Sequence, residues 1–237
     1  GAPTAVTAFM STVVKTAAFA AFLRLFSTVF SSNTEVWSST LWAIAALTIL
    51  LGNIAAAAQE NIKRMLAYSS VAHAAYMLLA ILAMNQLAAG ALFFYSVAYS
   101  LSSLLSFSIL LIISQKTGSE TISGFRGLFK SNPLLAVLTI VAMLSLAGIP
   151  PTAGFFAKYF VFTAALDAGY LGLVILAVAG SLIGVYYYFR PLMAVFTPSS
   201  DSQEFSVDKT TVFVLVLLAI ASLALGISPR WLTALFS

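Results

Sequence analysis

Two lysines and one histidine lie deep inside apolar stretches that carry few other charges. Lys15 and Lys158 are the two isolated lysines, and His73 is the one histidine of the chain. A charged lysine costs about 2.5–3.5 kcal/mol at the centre of a membrane helix, so its neutral form comes within reach near pH 7. An imidazole exchanges protons in the same range. These residues predict proton transfer through the protein interior. The alternative is that these three side chains are structural and only form hydrogen bonds in the interior.

The stretch that holds Lys158 also contains a predicted break. As one straight helix, 133–165 would be about 50 Å long, which exceeds a hydrocarbon core of roughly 30 Å. Prolines remove backbone donors and leave carbonyls unpaired, and membranes tolerate this only inside protein or beside water. Broken helices of this kind mark ion sites in transporters. The residues that predict the break are Gly148, Pro150, Pro151 and Thr152.

Hydroxyl side chains precede His73 by about one helical turn. Tyr68, Ser69 and Ser70 are therefore expected as supporting hydrogen-bond partners. Lys63 lies nearer the start of the same apolar stretch. For Lys63, anchoring at the membrane surface and a part in proton transfer are both open.

The composition fits a membrane-embedded chain. Only 8% of the 237 residues are charged, 61% are hydrophobic, and the mean hydropathy is +1.04. A soluble domain carries about 25% charged residues, so a soluble enzyme, a nucleic-acid binder and a disordered chain are excluded. The chain has no cysteine and a single histidine. Neither a metal site nor an Fe–S cluster is expected in it.

Stretches without charge predict an all-α integral membrane protein. Their length favours helices over barrel strands, which alternate over about 10 residues. We expect one membrane domain over residues 1–237, a bundle of seven transmembrane helices of which one is broken. The predicted segments are 5–30, 38–59, 64–84, 88–114, 133–165, 169–196 and 210–229.

Loop charge predicts the orientation. Most basic residues fall in loops 59–64, 115–132 and 190–209, which are therefore expected to be cytoplasmic. No acidic residue lies deep in a predicted span. A carboxylate that balances the buried lysines is thus expected from sequence outside this chain or from a neighbouring subunit. The start, Gly1-Ala2-Pro3, lacks a basic region typical of a signal peptide, and we expect the C-terminal part of a longer product.

Two long stretches carry a family resemblance. Residues 61–73 (NIKRMLAYSSVAH) and 144–158 (LSLAGIPPTAGFFAK) resemble the antiporter-like subunits of respiratory complex I and of Mrp-type antiporters. The stretches 1–9, 126–130 and 186–190 resemble in particular the N-type subunits of bacterial NADH-quinone oxidoreductases. The resemblance implies a fourteen-helix subunit with two inverted repeats. This chain would be its C-terminal half, with the whole second repeat.

The resemblance also implies roles. Lys15 matches the family's central lysine and Lys158 the lysine of its second broken helix, while His73 falls between them. The chain would be a non-redox, proton-pumping subunit, with NADH, flavin, Fe–S clusters and quinone in other subunits. Its partners would be neighbouring membrane subunits, the N-terminal half of the same subunit and lipids, without nucleic acid. The location would be the bacterial cytoplasmic membrane.

Two other functions remain open at this point. One is a subunit of an Mrp-type cation/proton antiporter or a membrane-bound hydrogenase, which the 186–190 run and the short C-terminus disfavour. The other is a membrane scaffold whose lysines are inert. A retinal protein is rejected, because the span 210–229 has no lysine to form a Schiff base.

Overall fold

The computed structural model describes residues 2–199 and 205–234. Every regular element in these ranges is a helix, which confirms the predicted all-α fold. Gly1, which belongs to one of the resembling stretches, lies outside the described residues. So do Asp201 and Glu204 of the loop predicted at 190–209.

The principal helices follow the apolar stretches of the sequence. Within residues 2–199 and 205–234, six helical runs are long and apolar enough to cross a membrane, and the first of these runs continuously from Thr4 to Thr28. Such a set of long apolar helices is typical of an integral, multi-pass membrane protein. The helices are α1 (Thr4–Phe9), α2 (Lys15–Thr28), α3 (Thr34–Ala57), α4 (Ile62–Ala83), α5 (Ala88–Thr117), α6 (Leu128–Ser131), α7 (Pro133–Ala147), α8 (Ala153–Asp167), α9 (Leu171–Phe196), α10 (Lys209–Ile227) and α11 (Arg230–Thr233).

The predicted segment 133–165 consists of two 15-residue helices, α7 and α8. The start of α7 is fixed by Pro133 and by Asn132, whose side-chain oxygen accepts a hydrogen bond from the Leu135 amide at 3.0 Å. Its end is fixed by Gly148, whose φ of +82° favours glycine. The non-helical residues 148–152 coincide with the predicted break.

A π-helical segment, Met10–Val14, joins α1 to α2 directly before Lys15. The hydropathy pattern does not predict this segment, because one extra residue in a turn leaves the apolar run unchanged. Other boundaries differ from the prediction by a few residues. The largest shift is at α3, which begins at Thr34 rather than at residue 38.

The segments predicted to share one side of the membrane meet at one end of the bundle. The Ile62 amide donates to the Glu120 carbonyl at 2.8 Å, and the Ile122 amide donates to the Glu60 carbonyl at 3.0 Å. The Arg190 guanidinium, on α9, donates to carbonyls at the end of α3. Segments 58–61, 118–122 and the end of α9 are therefore held together.

Helix α4 occupies the centre of the described bundle, between α3, α5 and α8. Close approach to α3 is allowed by Gly52, where a Cβ would lie 2.8 Å from the Ala72 amide nitrogen. In contrast, α2 has no fully buried residue. This arrangement places His73 in the interior and Lys15 on a helix at the periphery of this chain.

Candidate functional site

Lys15 is held by oxygen atoms of two neighbouring helices. Its Nζ donates hydrogen bonds to the backbone carbonyl and the hydroxyl of Ser70, on α4. It also lies 3.3 Å from the Tyr99 hydroxyl on α5 and 4.4 Å from the centroid of that ring. The lysine is only partly buried in this chain. Neutral oxygen atoms and an aromatic face, rather than a carboxylate, surround the amine.

His73 is held at both ring nitrogens. Its Nδ1 lies 2.7 Å from the Tyr95 hydroxyl on α5, and its Nε2 lies 3.1 Å from the Tyr188 hydroxyl on α9. The Tyr99 ring packs against the imidazole with centroids 4.7 Å apart. Only 5% of the residue is exposed. An imidazole held this way can accept a proton on one nitrogen and release one from the other.

Lys158 reaches back across the break in its own helix pair. Its Nζ donates to the carbonyl of Ala147, the last residue of α7, at 2.7 Å, and to the Ser181 hydroxyl on α9 at 2.8 Å. The Tyr76 ring centroid is 5.6 Å away. A Cβ at Gly148 would lie 2.8 Å from the Lys158 Cδ. The break therefore supplies both an acceptor for the amine and the space for its stem.

An asparagine and three tyrosines lie between the Lys158 region and His73. The Asn53 amide donates to the Tyr76 hydroxyl at 3.1 Å, and its oxygen accepts from the Tyr187 hydroxyl at 3.2 Å. The Tyr187 and Tyr188 rings have centroids 4.5 Å apart. We term the resulting row of side chains the polar axis: Lys15, Tyr99, Tyr95, His73, Tyr188, Tyr187, Asn53, Tyr76 and Lys158.

The hydroxyls predicted beside His73 fall in different places. Ser70 contacts Lys15, and Ser69 is buried but donates to the Leu66 carbonyl of its own helix at 2.8 Å. Tyr68 is 43% exposed, because five residues place it about 140° around the helix from His73. The partners of the imidazole come from other helices instead.

The residues predicted for the break also differ in position. Thr152 is buried, and its hydroxyl donates to the Ile149 carbonyl at 2.7 Å. Pro150 and Pro151 are exposed on this chain. They interrupt the helix without facing the polar axis, whereas Gly148 packs directly against Lys158.

Lys63 lies at one end of the bundle, apart from the polar axis. Its Nζ is 3.4 Å from a carboxylate oxygen of Glu120. The same carboxylate accepts hydrogen bonds from Thr4 at 3.0 Å and from Asn61 at 3.4 Å. Partial burial raises the pKa of Glu120, but the Thr4 and Asn61 bonds and the Lys63 charge outweigh it and hold the pKa below its ordinary value.

Sequence reasoning missed most of the polar axis between the three titratable groups. A signal was present in Tyr95 and Tyr99, which are four residues apart and so share one helix face. Another was an asparagine inside an apolar stretch, Asn53. Aromatic residues usually fill cores, so their identity alone does not mark a proton path.

The charges near the site are sparse. Among residues 2–199 and 205–234, the Lys63–Glu120 contact is the one ion pair found. The same ranges contain no group of three side chains suited to hold a metal ion. The amines of Lys15 and Lys158 are held by neutral groups.

The sequence matches known proteins over nearly its whole length. The profile described as "NADH:quinone oxidoreductase/Mrp antiporter, TM" matches residues 1–184. A curated relative, NADH-quinone oxidoreductase subunit N of Cytophaga hutchinsonii, is 44% identical over 94% of this chain and 48% of the relative. The chain spans about half the length of the curated relatives it matches.

Solved structures agree with this assignment. A chain of respiratory complex I from Thermus thermophilus with bound aureothin matches with a TM-score of 0.84 and 38% identity, over 99% of this chain and 52% of that one. A chain of the Mrp complex from Dietzia sp. DQ12-45-1b matches with a TM-score of 0.86 and 22% identity, over 93% and 50%. The latter likeness shows the fold alone. This chain therefore belongs to the NADH:quinone oxidoreductase/Mrp antiporter transmembrane family.

Proposed function

We propose that this chain is part of a proton-translocating subunit of a respiratory NADH-quinone oxidoreductase. The subunit itself carries out no redox step, and NADH, flavin, Fe–S clusters and quinone belong to other subunits. The observation that carries the proposal is the polar axis, which extends from the partly buried Lys15 to the buried Lys158 past a histidine held at both nitrogens. The relatives named NADH-quinone oxidoreductase subunit N support the same function.

The polar axis suits proton transfer because nearly every member both gives and accepts a proton. Lys15 exchanges protons with Tyr99 or Ser70, and the His73 ring passes protons between its two tyrosine partners. Lys158 is the far station and exchanges with the outer side of the membrane. No carboxylate of the described residues contacts the Lys15 or Lys158 amine, so the charged amines are little stabilised, and a movable counter-charge shifts each between its two forms.

The counter-charge is assigned to sequence outside this chain. The chain spans about half of its relatives, and Lys15 lies on a helix that this chain covers on one side only. We infer that the chain is the C-terminal half, the second of two inverted repeats, and one membrane domain. The N-terminal half would then cover Lys15 and supply an acidic partner for it.

The same proposal includes location and partners. The loops around 59–64, 115–132 and 190–209 face the cytoplasm of a bacterial inner membrane, because they carry most of the basic residues. Neighbouring antiporter-like subunits and lipids cover the apolar outer faces. Lys63 at this end connects the cytoplasmic surface to the bundle, and its ion pair with Glu120 orders that surface.

A subunit of an Mrp-type cation/proton antiporter is the alternative. The Mrp complex chain from Dietzia sp. shares the fold with this chain at 22% identity. The complex I chain from Thermus thermophilus is 38% identical over 99% of this chain. The higher identity favours the redox-driven complex.

The test is Lys158→Met in the complete subunit, within the assembled complex reconstituted in liposomes. Methionine keeps much of the stem volume and removes the proton-carrying amine. We expect the number of protons moved per NADH oxidised to fall, because a station of the path is lost. The matched control is Lys130→Met, since Lys130 is exposed on α6 at the end of the bundle.

Assembly is measured in parallel from the amount of intact complex, so that loss of pumping is separated from loss of protein. An unchanged proton-to-NADH ratio in assembled Lys158→Met complex favours the inert scaffold. Pumping driven by a sodium gradient without NADH favours the antiporter.

A further inference from the structure

Helix α10 packs directly against the break between α7 and α8. Gly226 is buried on α10, and an added Cβ there would overlap the Pro151 carbonyl and lie 2.5 Å from the Thr152 Cα. Both neighbours belong to the backbone of the break, and a backbone atom cannot turn aside as a flexible side chain can. Position 226 therefore has room for a hydrogen atom and for no larger group.

A second contact, one turn earlier on α10, holds the end of α7. The Ser222 hydroxyl donates to the Ser145 hydroxyl on α7 at 3.1 Å, and both serines are 1% exposed. Because Ser222 and Gly226 are four residues apart, they lie on the same face of α10. One face of α10 therefore contacts both the last turn of α7 and the non-helical segment that follows it.

The break has little room to close further on itself. An added Cβ at Gly154, at the start of α8, would overlap the Ser145 carbonyl, so α7 and α8 are already in backbone contact there. The Gly154 amide also donates to the Ser145 hydroxyl at 3.3 Å. Within the break, the amide and the hydroxyl of Thr152 both donate to the Ile149 carbonyl, at 3.2 and 2.7 Å. A group that pushed the break away from α10 would therefore displace α7 or α8 as well.

The position of the Lys158 amine depends on the shape of the break. Lys158 lies on α8, six residues after Thr152, whereas its acceptor is the carbonyl of Ala147 at the end of α7. The 2.7 Å contact between them spans the break, so it exists only while α7 and α8 keep their relative positions. The nearest neighbours of a Cβ at Gly226 are backbone atoms of Pro151 and Thr152. The influence of Gly226 on the amine therefore passes through the break.

We propose that Gly226 is a positioning residue for proton transfer: α10 clamps the break and thereby keeps the Lys158 amine on the Ala147 carbonyl. The proposal rests on the proposed function, in which Lys158 is the far station of the path. Ser222 completes the clamp through its hydrogen bond to Ser145. Gly226 has no group that takes a proton, so its effect on pumping requires the Lys158 amine.

The test is Gly226→Ala in the complete complex in liposomes, alone and combined with Lys158→Met. We expect Gly226→Ala alone to lower the protons moved per NADH toward the ratio of Lys158→Met. The combined variant should show no further decrease, because the two changes act on one station and are therefore not additive. General damage to the fold would instead add to the loss in Lys158→Met. The matched control is Gly172→Ala on α9, where nothing lies within 4 Å of the added Cβ.

A density map of the parent complex and of Gly226→Ala supplies the second measurement. We expect the Lys158 Nζ within hydrogen-bond distance of the Ala147 carbonyl in the parent, and beyond about 3.5 Å from it in the variant. If Gly226→Ala does not assemble, Ser222→Ala decides, because it removes only the second contact of the clamp. We expect a smaller loss of pumping from Ser222→Ala, again with no further decrease when it is combined with Lys158→Met.

The two proposals fail in different ways. If Gly226→Ala keeps the ratio of the parent, or lowers it further on top of Lys158→Met, the clamp is wrong while the loss in Lys158→Met still supports the proposed function. A Lys158 amine that stays on the Ala147 carbonyl in Gly226→Ala also overturns the clamp. If Lys158→Met itself pumps normally, the proposed function fails.

Discussion

The His73 Nε2 and the Tyr188 hydroxyl lie 3.1 Å apart, although 115 residues separate them in sequence. The contact connects α4 with α9 at the centre of the bundle. The other ring nitrogen bonds Tyr95 on α5. The single histidine therefore ties three helices together through two phenols. The placement of its proton depends on both of them.

Replacing Tyr188 by phenylalanine tests this link. The ring stays and the hydroxyl is lost, so a buried ring nitrogen loses its partner at a cost of about 1–3 kcal/mol. We expect proton transfer at His73 to slow by about tenfold, because 1.4 kcal/mol corresponds to a factor of ten in rate, and the number of protons moved per NADH to fall in assembled complex. The measurement is proton uptake by liposomes that contain the complex.

Tyr186→Phe is the matched control for that change. Tyr186 lies on the same helix two residues away, but it is 63% exposed on this chain. An equal decrease in both variants would contradict the specific role of Tyr188. It would point instead to a general effect of the change on α9.

Gly148→Ala tests how the break positions Lys158. The φ of +82° strains any side chain, and the added Cβ would lie 2.8 Å from the Lys158 Cδ. We expect Lys158 to be displaced from Ser181 and pumping to fall, with about 1 kcal/mol of backbone strain. Gly118→Ala is the control, because φ there is +68° but nothing lies within 4 Å of the added Cβ. If the two variants pump equally well, contact with Lys158 is irrelevant.

Glu120→Gln tests the contact at the loop end of the bundle. The pKa of Glu120 is held below its ordinary value of 4.5. Its contacts therefore stabilise the segment fully above pH 4.5, and this stability is lost as the pH falls through the lowered value. We expect faster amide exchange at Ile62 and Ile122 in acid, corrected for the intrinsic rate. The glutamine variant should exchange fast at every pH.

Glu60→Gln serves as the control for the acid test, since Glu60 is exposed and contributes its backbone carbonyl to Ile122. A pH response that persists in Glu120→Gln would assign the effect to another group. The same response in parent and Glu60→Gln is expected.

Much of the fold is readable from the sequence, because lipid leaves few choices. Charge-free stretches predict the long helices to within a few residues, and the Gly148 and proline cluster predicts the break. The π segment before Lys15 was not predictable, because hydropathy does not report one extra residue in a turn. The short helix α6 was also missed, since it lies in a loop that carries charge.

The site is less readable than the fold. Lys15, His73 and Lys158 stand out because a titratable group in an apolar stretch is costly. Their hydrogen-bond partners do not stand out in the sequence. Tyr188 and Ser181 come from a distant helix, and tyrosines are ordinary core residues. The expectation for Tyr68 was local in sequence, whereas tertiary packing brought Tyr95 and Tyr188 to the imidazole.

The most direct test of the central claim is the proton-to-NADH ratio of the complete complex with His73→Gln. A glutamine amide can bond both Tyr95 and Tyr188 but cannot take up and release a proton near pH 7, so packing is kept while the relay is cut. We predict a ratio clearly below that of the parent at equal assembly. An unchanged ratio would contradict a proton path through His73.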